Sequence, residues 1–279
     1  MKTSNINKSG IGYRKSQEDS HINKHNNFSK LYEYLETFDS NIQDPLISIV
    51  LPVYNEEKTI REVLESLPRN HAIEIIVVDD YSRDSSFDEI KKVENYDKIK
   101  LIRHKENRGY GGALLTGIKA ARGQVLITMD SDGQHSSDDL FNLIKPVLDG
   151  KADISVGSRY KGSFNYKLPL STRVGEAMLE IVITLFFGQR IKNNQCGFRA
   201  FHKRTYKIFD NIKFHGYAFT TELILLALLY NFRIREYPIH LLKRKHGNSY
   251  IILIKLSISL ILCLMFYFFK NVKKILSRK

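Results

Sequence analysis

The chain has 279 residues, enough for one sizeable domain with extensions, and 43 Lys+Arg against 30 Asp+Glu give it a formal charge of +13. That excess suits anionic partners, yet nine of the basic residues and no acid lie between His240 and Lys279, so the charge belongs largely to a tail. Two cysteines, Cys196 and Cys263, far apart, exclude a disulfide framework and fit a reducing cytosol.

Residues 1–44 are rich in Asn, Lys and Ser. Their composition predicts a polar, disordered extension with one weak helical patch at Lys30–Phe38, and they carry no apolar segment that would read as a secretory signal. A rhythm then begins. Leu46–Leu51 reads as a strand, and Ile60, Val63, Leu64 and Leu67 mark one face of a helix. Strands are predicted at Ile73–Val78, Ile99–Arg103, Val125–Met129 and Ile154–Val156. Helices are predicted at Phe87–Val93, at Gly111–Ala121 and from about Ser137, with Ser136 as its cap. Alternation at this spacing predicts an α/β fold with a mostly parallel sheet covered on both faces. Ligands bind such sheets beyond the carboxyl ends of the strands. Three of those ends are acidic: Pro52-Val53-Tyr54-Asn55-Glu56-Glu57, Asp79-Asp80 and Asp130-Ser131-Asp132-Gly133-Gln134. They should share one edge.

After Tyr160 the pattern turns apolar, with helical candidates at Met178–Phe187 and Glu222–Leu229. Ile251–Phe269 follows, nineteen residues with Lys255 as the single charge. At helical rise it spans roughly 28 Å, the thickness of a bilayer core, and its length predicts a spanning helix. Basic residues on both sides, Lys243–Lys245 before and Lys270, Lys273, Lys274, Arg278 and Lys279 after, oppose a simple span, because one cluster must cross. A re-entrant or surface helix would keep both clusters at an anionic face.

Asp130-x-Asp132 places two carboxylates one residue apart at the end of an apolar strand, where they repel each other. Either they face solvent or a cation offsets them. Oxygen donors in one turn, Asp130, Asp132 and Gln134, suit Mg²⁺ or Mn²⁺ completed by phosphate oxygens. Asp138 and Asp139 read as helix-capping acids. Asp79-Asp80 could belong to a phosphorylated receiver domain, but that fold needs its acid pair on the first strand and a shorter chain. Asn107–Gly112 lacks the Gly-Lys-Ser/Thr of a P-loop, and its glycines read as a close backbone approach at a helix start. His21, His25, His71 and His104 have no partners at metal spacing and read as surface residues.

Taken together, SIVLPVYNEE, IIVVDDYSRDSS, ENRGYGGALLTGI, VLITMDSDGQH, VGSRY, QCGFRAF, FTTELILLAL and RKHGNS resemble, in order and spacing, glycosyltransferase family 2 with its GT-A fold. The match runs from about Ile47 to Ser249 and is nearest to the dolichyl-phosphate mannose synthase and polyprenyl-phosphate glucosyltransferase branch. The resemblance implies a glycosyltransferase domain over residues 45–249, followed by a membrane-associated helix and basic tail over 250–279. It implies a nucleotide-sugar pocket lined by Pro52, Tyr54 and Glu56, with Val78 and Asp80 at the base or ribose and Asp130, Ser131 and Asp132 at the ribose and diphosphate. It further implies Asp132 and Gln134 at the metal, Arg159 and Arg244 on phosphate groups, and Arg173 near the acceptor phosphate. The expected partners are a nucleotide sugar such as GDP-mannose or UDP-glucose, a polyprenyl phosphate and the membrane, with no nucleic acid. The chain departs from the family pattern at Asn193, where an Asp is usual, and at Tyr250, where a Lys is usual. No Trp occurs, so the Gln-x-x-Arg-Trp motif of processive synthases is excluded and single transfer is favoured. The competing classes are a nucleotide-sugar-binding regulator without turnover and a transferase with a different acceptor.

Overall fold

The computed structural model describes residues 28–38, 44–93, 96–164, 170–216, 218–244 and 253–276. Most of the 1–44 extension, and Tyr250 with the rest of 245–250, lie outside the described residues. The chain divides into two compact units, Met1–Asn41 and Ile42–Lys279. In the first, Ser29–Leu35 forms helix α1, close to the expected patch.

In the second unit the elements run β1 (Ile47–Val53), α2 (Ile60–Ser66), β2 (Ile73–Asp79), α3 (Ser86–Lys91), β3 (Ile99–Arg103), α4 (Gly109–Ala120), β4 (Val125–Thr128) and α5 (Leu140–Leu148). They continue as β5 (Ile154–Phe164), α6 (Leu170–Phe187), β6 (Arg199–His202), α7 (Phe219–Leu229), β7 (Ile234–Leu241) and α8 (Leu253–Leu276), with 3₁₀ segments before α5 and at Lys203–Asn211. The seven strands form one sheet in the order β3-β2-β1-β4-β6-β5-β7. All neighbours are parallel except β6, which pairs antiparallel with both β4 and β5. The sequence reading missed β6, which is four residues long, and β7, whose eight residues IREYPIHL interrupt their apolar positions with charged residues and a proline. β1 is buried along its whole length, as a strand covered on both faces must be.

Parallel pairing of β2, β1 and β4 brings their carboxyl ends to one edge, as expected. Two glycines let α4 close over them. A Cβ on Gly117 would lie 2.4 Å from Val50 Cγ1, and one on Gly111 would lie 2.5 Å from the His215 carbonyl. The Asn107–Gly112 run is therefore a close-approach device, and Gly109 opens it at φ +77°.

Candidate active site

The edge holds the acids in distinct hydrogen-bonded states. Asp79 and Asp80 diverge. Asp79 accepts the Ser82 N–H at 3.1 Å and pairs with Arg103 at 3.0 Å. Asp80 takes the His104 Nδ1 at 2.6 Å and the Arg108 N–H at 2.8 Å. His104 is buried, with its Nε2 2.9 Å from Thr116 Oγ1, so its reading as a surface residue is corrected: its partners come from a strand end and a helix that are remote in sequence. His71 is exposed, as expected.

The turn after β4 is tied to the turn after β1. Ser131 Oγ donates to the Pro52 carbonyl at 2.7 Å, and Thr59 Oγ1 donates to the Ser131 carbonyl at 3.1 Å and to Glu56 Oε2 at 3.0 Å. Burial, opposed by the Thr59 hydrogen bond and by Arg244, raises the Glu56 carboxyl above its ordinary range. Val78 is fully buried in β2, while Tyr54 is half-buried beside the site. Tyr81, one residue past Asp80, is exposed with φ +65°, an unusual backbone for a non-glycine residue.

Asp130 and Asp132 each have their own positive or donating partner. Asp130 Oδ1 accepts from Tyr110 Oη at 2.8 Å, and its other oxygen lies 3.7 Å from His135 Nδ1. Burial raises the Asp130 carboxyl, against the pull of His135. His135 is buried and stacked on Phe198 with ring centroids 5.0 Å apart. Desolvation alone would lower its pKa, but Cys196 and Asp130 outweigh that and hold it at about 9. Asp132 Oδ2 accepts from Arg244 Nη2 at 2.6 Å and Nε at 3.2 Å, and its Oδ1 accepts the Gln134 N–H at 3.0 Å. Arg244 comes from 112 residues further along the chain and supplies the offsetting charge that the acid pair requires. The Gln134 side chain donates to the Leu242 carbonyl at 3.1 Å, which fastens the segment carrying Arg244 to the β4 turn.

The contacts of several supporting residues, two of them in the QCGFRAF motif, were not legible in the sequence. Gly197 packs its backbone so closely that a Cβ there would lie 2.5 Å from Tyr110 Oη and 2.6 Å from Asp130 Oδ1. Arg199 is fully buried and donates to the carbonyls of Cys196, Thr220 and Asn194 at 2.8, 2.8 and 2.9 Å, which shapes the loop behind Asp130. Asp139, expected as a capping acid, instead accepts from the His240 N–H at 2.6 Å, whereas Ser136 does cap the following turn. Arg159 pairs with Glu176 of α6 at 2.5 Å, and Tyr160 Oη donates to the same carboxylate. Arg173 is exposed in the first turn of α6. At the departure position, Asn193 Nδ2 donates to the Gly157 carbonyl at 3.0 Å and its N–H to Glu236 Oε1 at 2.8 Å.

The donor set at the β4 exit is all oxygen, which is the chemistry of Mg²⁺ or Mn²⁺. Among the described residues no three His, Cys, Asp or Glu side chains converge as a metal cage. One carboxylate, Asp132, with phosphate oxygens completing the shell, is the arrangement that fits such an ion.

A parallel sheet with one antiparallel strand, and an acid-lined carboxyl edge, is the architecture of a GT-A glycosyltransferase. The chain belongs to glycosyl transferase family 2, whose model matches residues 48–213. It is 33% identical, over 70% of its own length and 85% of the relative's, to the UDP-N-acetylglucosamine–dolichyl-phosphate N-acetylglucosaminyltransferase of Methanococcus voltae. It is 28% identical to the dolichyl-phosphate beta-glucosyltransferase of Dictyostelium discoideum, over 71% of this chain and 67% of that one. Among solved structures, glucosyl-3-phosphoglycerate synthase of Mycobacterium tuberculosis, in complex with Mn²⁺, UDP and product, shares the fold at TM-score 0.59 and 21% identity, over 80% of each chain. The chain is a glycosyltransferase with dolichyl-phosphate sugar transferases among its relatives.

Proposed function

We propose that the protein transfers a single hexose or related sugar from a nucleoside-diphosphate donor to a polyprenyl or dolichyl monophosphate, with inversion at the anomeric carbon, at the cytoplasmic face of a membrane. The observation that carries this reading is the pairing of Asp132 with Arg244 beside Glu56, Asp80 and Asp130 at one sheet edge. A diphosphate entering there meets a guanidinium already aimed at the carboxylate turn.

In this reading Pro52, Tyr54, Glu56, Val78 and Asp80 hold the nucleoside, and Asp130 and Ser131 fix the turn beneath the ribose and diphosphate. Asp132 and Gln134 hold Mg²⁺ or Mn²⁺, with Asp130 contributing charge behind them. The ion, when bound, stabilises negative charge on the departing diphosphate. Arg244, now on Asp132, would supply a second positive charge to the diphosphate. Arg173 receives the acceptor phosphate, and Arg159, neutralised by Glu176, positions α6 beside it. An acceptor phosphate oxygen attacks the anomeric carbon, and the bond to the diphosphate oxygen breaks with its electron pair. A phosphate monoester is already ionised at neutral pH, so no proton needs to be removed and no general base is required. Catalysis rests on orientation and leaving-group stabilisation.

The test is incubation of membranes containing the protein with a panel of labelled nucleotide sugars, followed by lipid extraction. One donor should label a polyprenyl-phosphate fraction, in an EDTA-sensitive manner. Donor binding without any lipid-linked product would favour a regulatory nucleotide-sugar binder.

A further inference from the structure

We propose that α8 does not cross the bilayer but lies in its surface, and that α6 lies beside it as a second membrane element, the two presenting a joint apolar face to an anionic lipid bilayer. This inference rests on the membrane location argued above and adds which surfaces meet the lipid and how.

Lys255–Lys273 is long and apolar enough to span, with mean hydropathy 1.5, and most of it is not buried. Its centre, however, is committed to the catalytic domain. Cys263 and Tyr267 are fully buried, and Tyr267 Oη donates to Glu222 on α7 at 2.6 Å. Glu222 is itself buried and accepts the N–H groups of Lys213 and Phe214, both at 2.7 Å. Phe214, in an irregular loop, packs its ring on Phe266 at 6.4 Å. In a span over Lys255–Lys273, Cys263 would be near mid-depth and Tyr267 about 9 Å inside the Lys273 end, both within hydrocarbon. The buried carboxylate, the irregular loop and α7 would be drawn into hydrocarbon with them, which the polar backbone of such a loop does not tolerate.

The opposite side of α8 is exposed: Ile258, Ile261, Leu262, Met265 and Phe269 form an apolar stripe, and Lys255 and Lys273 stand on its flank near its ends. Helix α6 repeats the design. Leu170, Val174, Met178, Ile181 and Leu185 are exposed and fall within an arc of about 80° at helical spacing, while Glu176, Leu179 and Ile183 are buried on the other side. The two helices touch, through Phe186 and Phe268 with ring centroids 4.7 Å apart and through Asn271 Nδ2 donating to the Phe186 carbonyl at 2.8 Å. The apolar faces are thus continuous with each other. Charge names the occupant: α8 has no acidic residue, Lys255, Lys270 and Lys273 are exposed along it, and Arg173 is exposed on α6. Surface docking keeps every basic residue on the cytoplasmic side, which a span does not. It also places Arg173 beside a face that meets lipid, and Glu176 links that same helix to Arg159.

The protein with a tag after Lys279 is tested in two ways. Sedimentation with phosphatidylglycerol-containing vesicles, free of polyprenyl phosphate, should fall roughly tenfold or more in the Met178→Ser, Ile181→Ser, Leu185→Ser triple variant, with circular dichroism and nucleoside-diphosphate binding unchanged. Protease added to sealed spheroplasts of expressing bacteria should leave the tag intact, whereas in inverted vesicles it should remove it. Unchanged sedimentation of the triple variant, its conversion from dimer to monomer with vesicle binding retained, or a tag clipped in spheroplasts would each overturn the proposal. Normal sedimentation and a protected tag, without lipid-linked product from any donor, support this topology and overturn the catalytic reading alone.

Discussion

At the scale of single residues, the acid pair after β4 is stable because each member is answered separately, Asp130 by Tyr110 and His135, and Asp132 by Arg244. Arg244→Gln removes the only one of these charges that comes from the far end of the sheet. It should lower kcat/KM by about 100-fold, the scale of a lost transition-state donor, while leaving the fold intact by circular dichroism. Asp132→Asn should be at least as damaging, and wild-type turnover in that variant would remove Asp132 from the mechanism. Asn193 offers a sharper test of local chemistry. Its amide donates to the Gly157 carbonyl, so Asn193→Asp would turn a carboxylate toward a carbonyl in a buried site. Restoring the usual family residue should therefore destabilise this chain by about 1–3 kcal/mol in urea unfolding, and an unchanged midpoint would show that Glu236 and the loop repack around the charge.

Among the elements, position depends on where backbone approaches backbone. The loop before β6 reaches Asp130 because Gly197 has no Cβ. Gly197→Ala should push Tyr110 off Asp130 at a stability cost of about 1–3 kcal/mol, as overpacking does. Because the displaced carboxylate is in the site, activity should fall more steeply than stability, by roughly tenfold or more. A variant that loses stability yet keeps full turnover would mean Asp130 tolerates displacement. Helix α6 shows the same economy on a larger element, since Glu176 anchors it inward while its opposite face stays apolar and open.

For the whole molecule, a net charge of +13 is reconciled with an acid-lined site by distribution: the carboxylates gather at the β1, β2 and β4 exits, and the cations concentrate on the C-terminal elements. Arg244 joins the two regions. Because it satisfies Asp132 without any metal, EDTA should abolish sugar transfer while shifting the Tm of donor-free protein by no more than about 2 °C, as read by differential scanning calorimetry. A large drop in Tm would instead identify a structural metal. Vesicle binding should weaken as ionic strength rises, since exposed cations on α6 and α8 are screened within about 8 Å at physiological salt.

What the amino-acid sequence determined was whatever depends on local periodicity and on order along the chain. Alternating apolar runs specified the parallel half of the sheet, and the acids at the exits of β1, β2 and β4 had to share an edge because parallel strands end on the same side. The spacing of the motifs identified the family. What only the tertiary structure decided was pairing across distance. His104 could not be matched to Asp80, nor Arg244 to Asp132 across 112 residues, because nothing local to either residue encodes its partner. β6 escaped for the same reason: its Arg199 is buried, which a pattern of apolar residues cannot announce, and only three carbonyls brought together by the fold make that burial tolerable. Length and apolarity said that Ile251–Phe269 was fit to cross a membrane. Which of its faces was already taken, by Glu222 through Tyr267, was a property of the assembled fold.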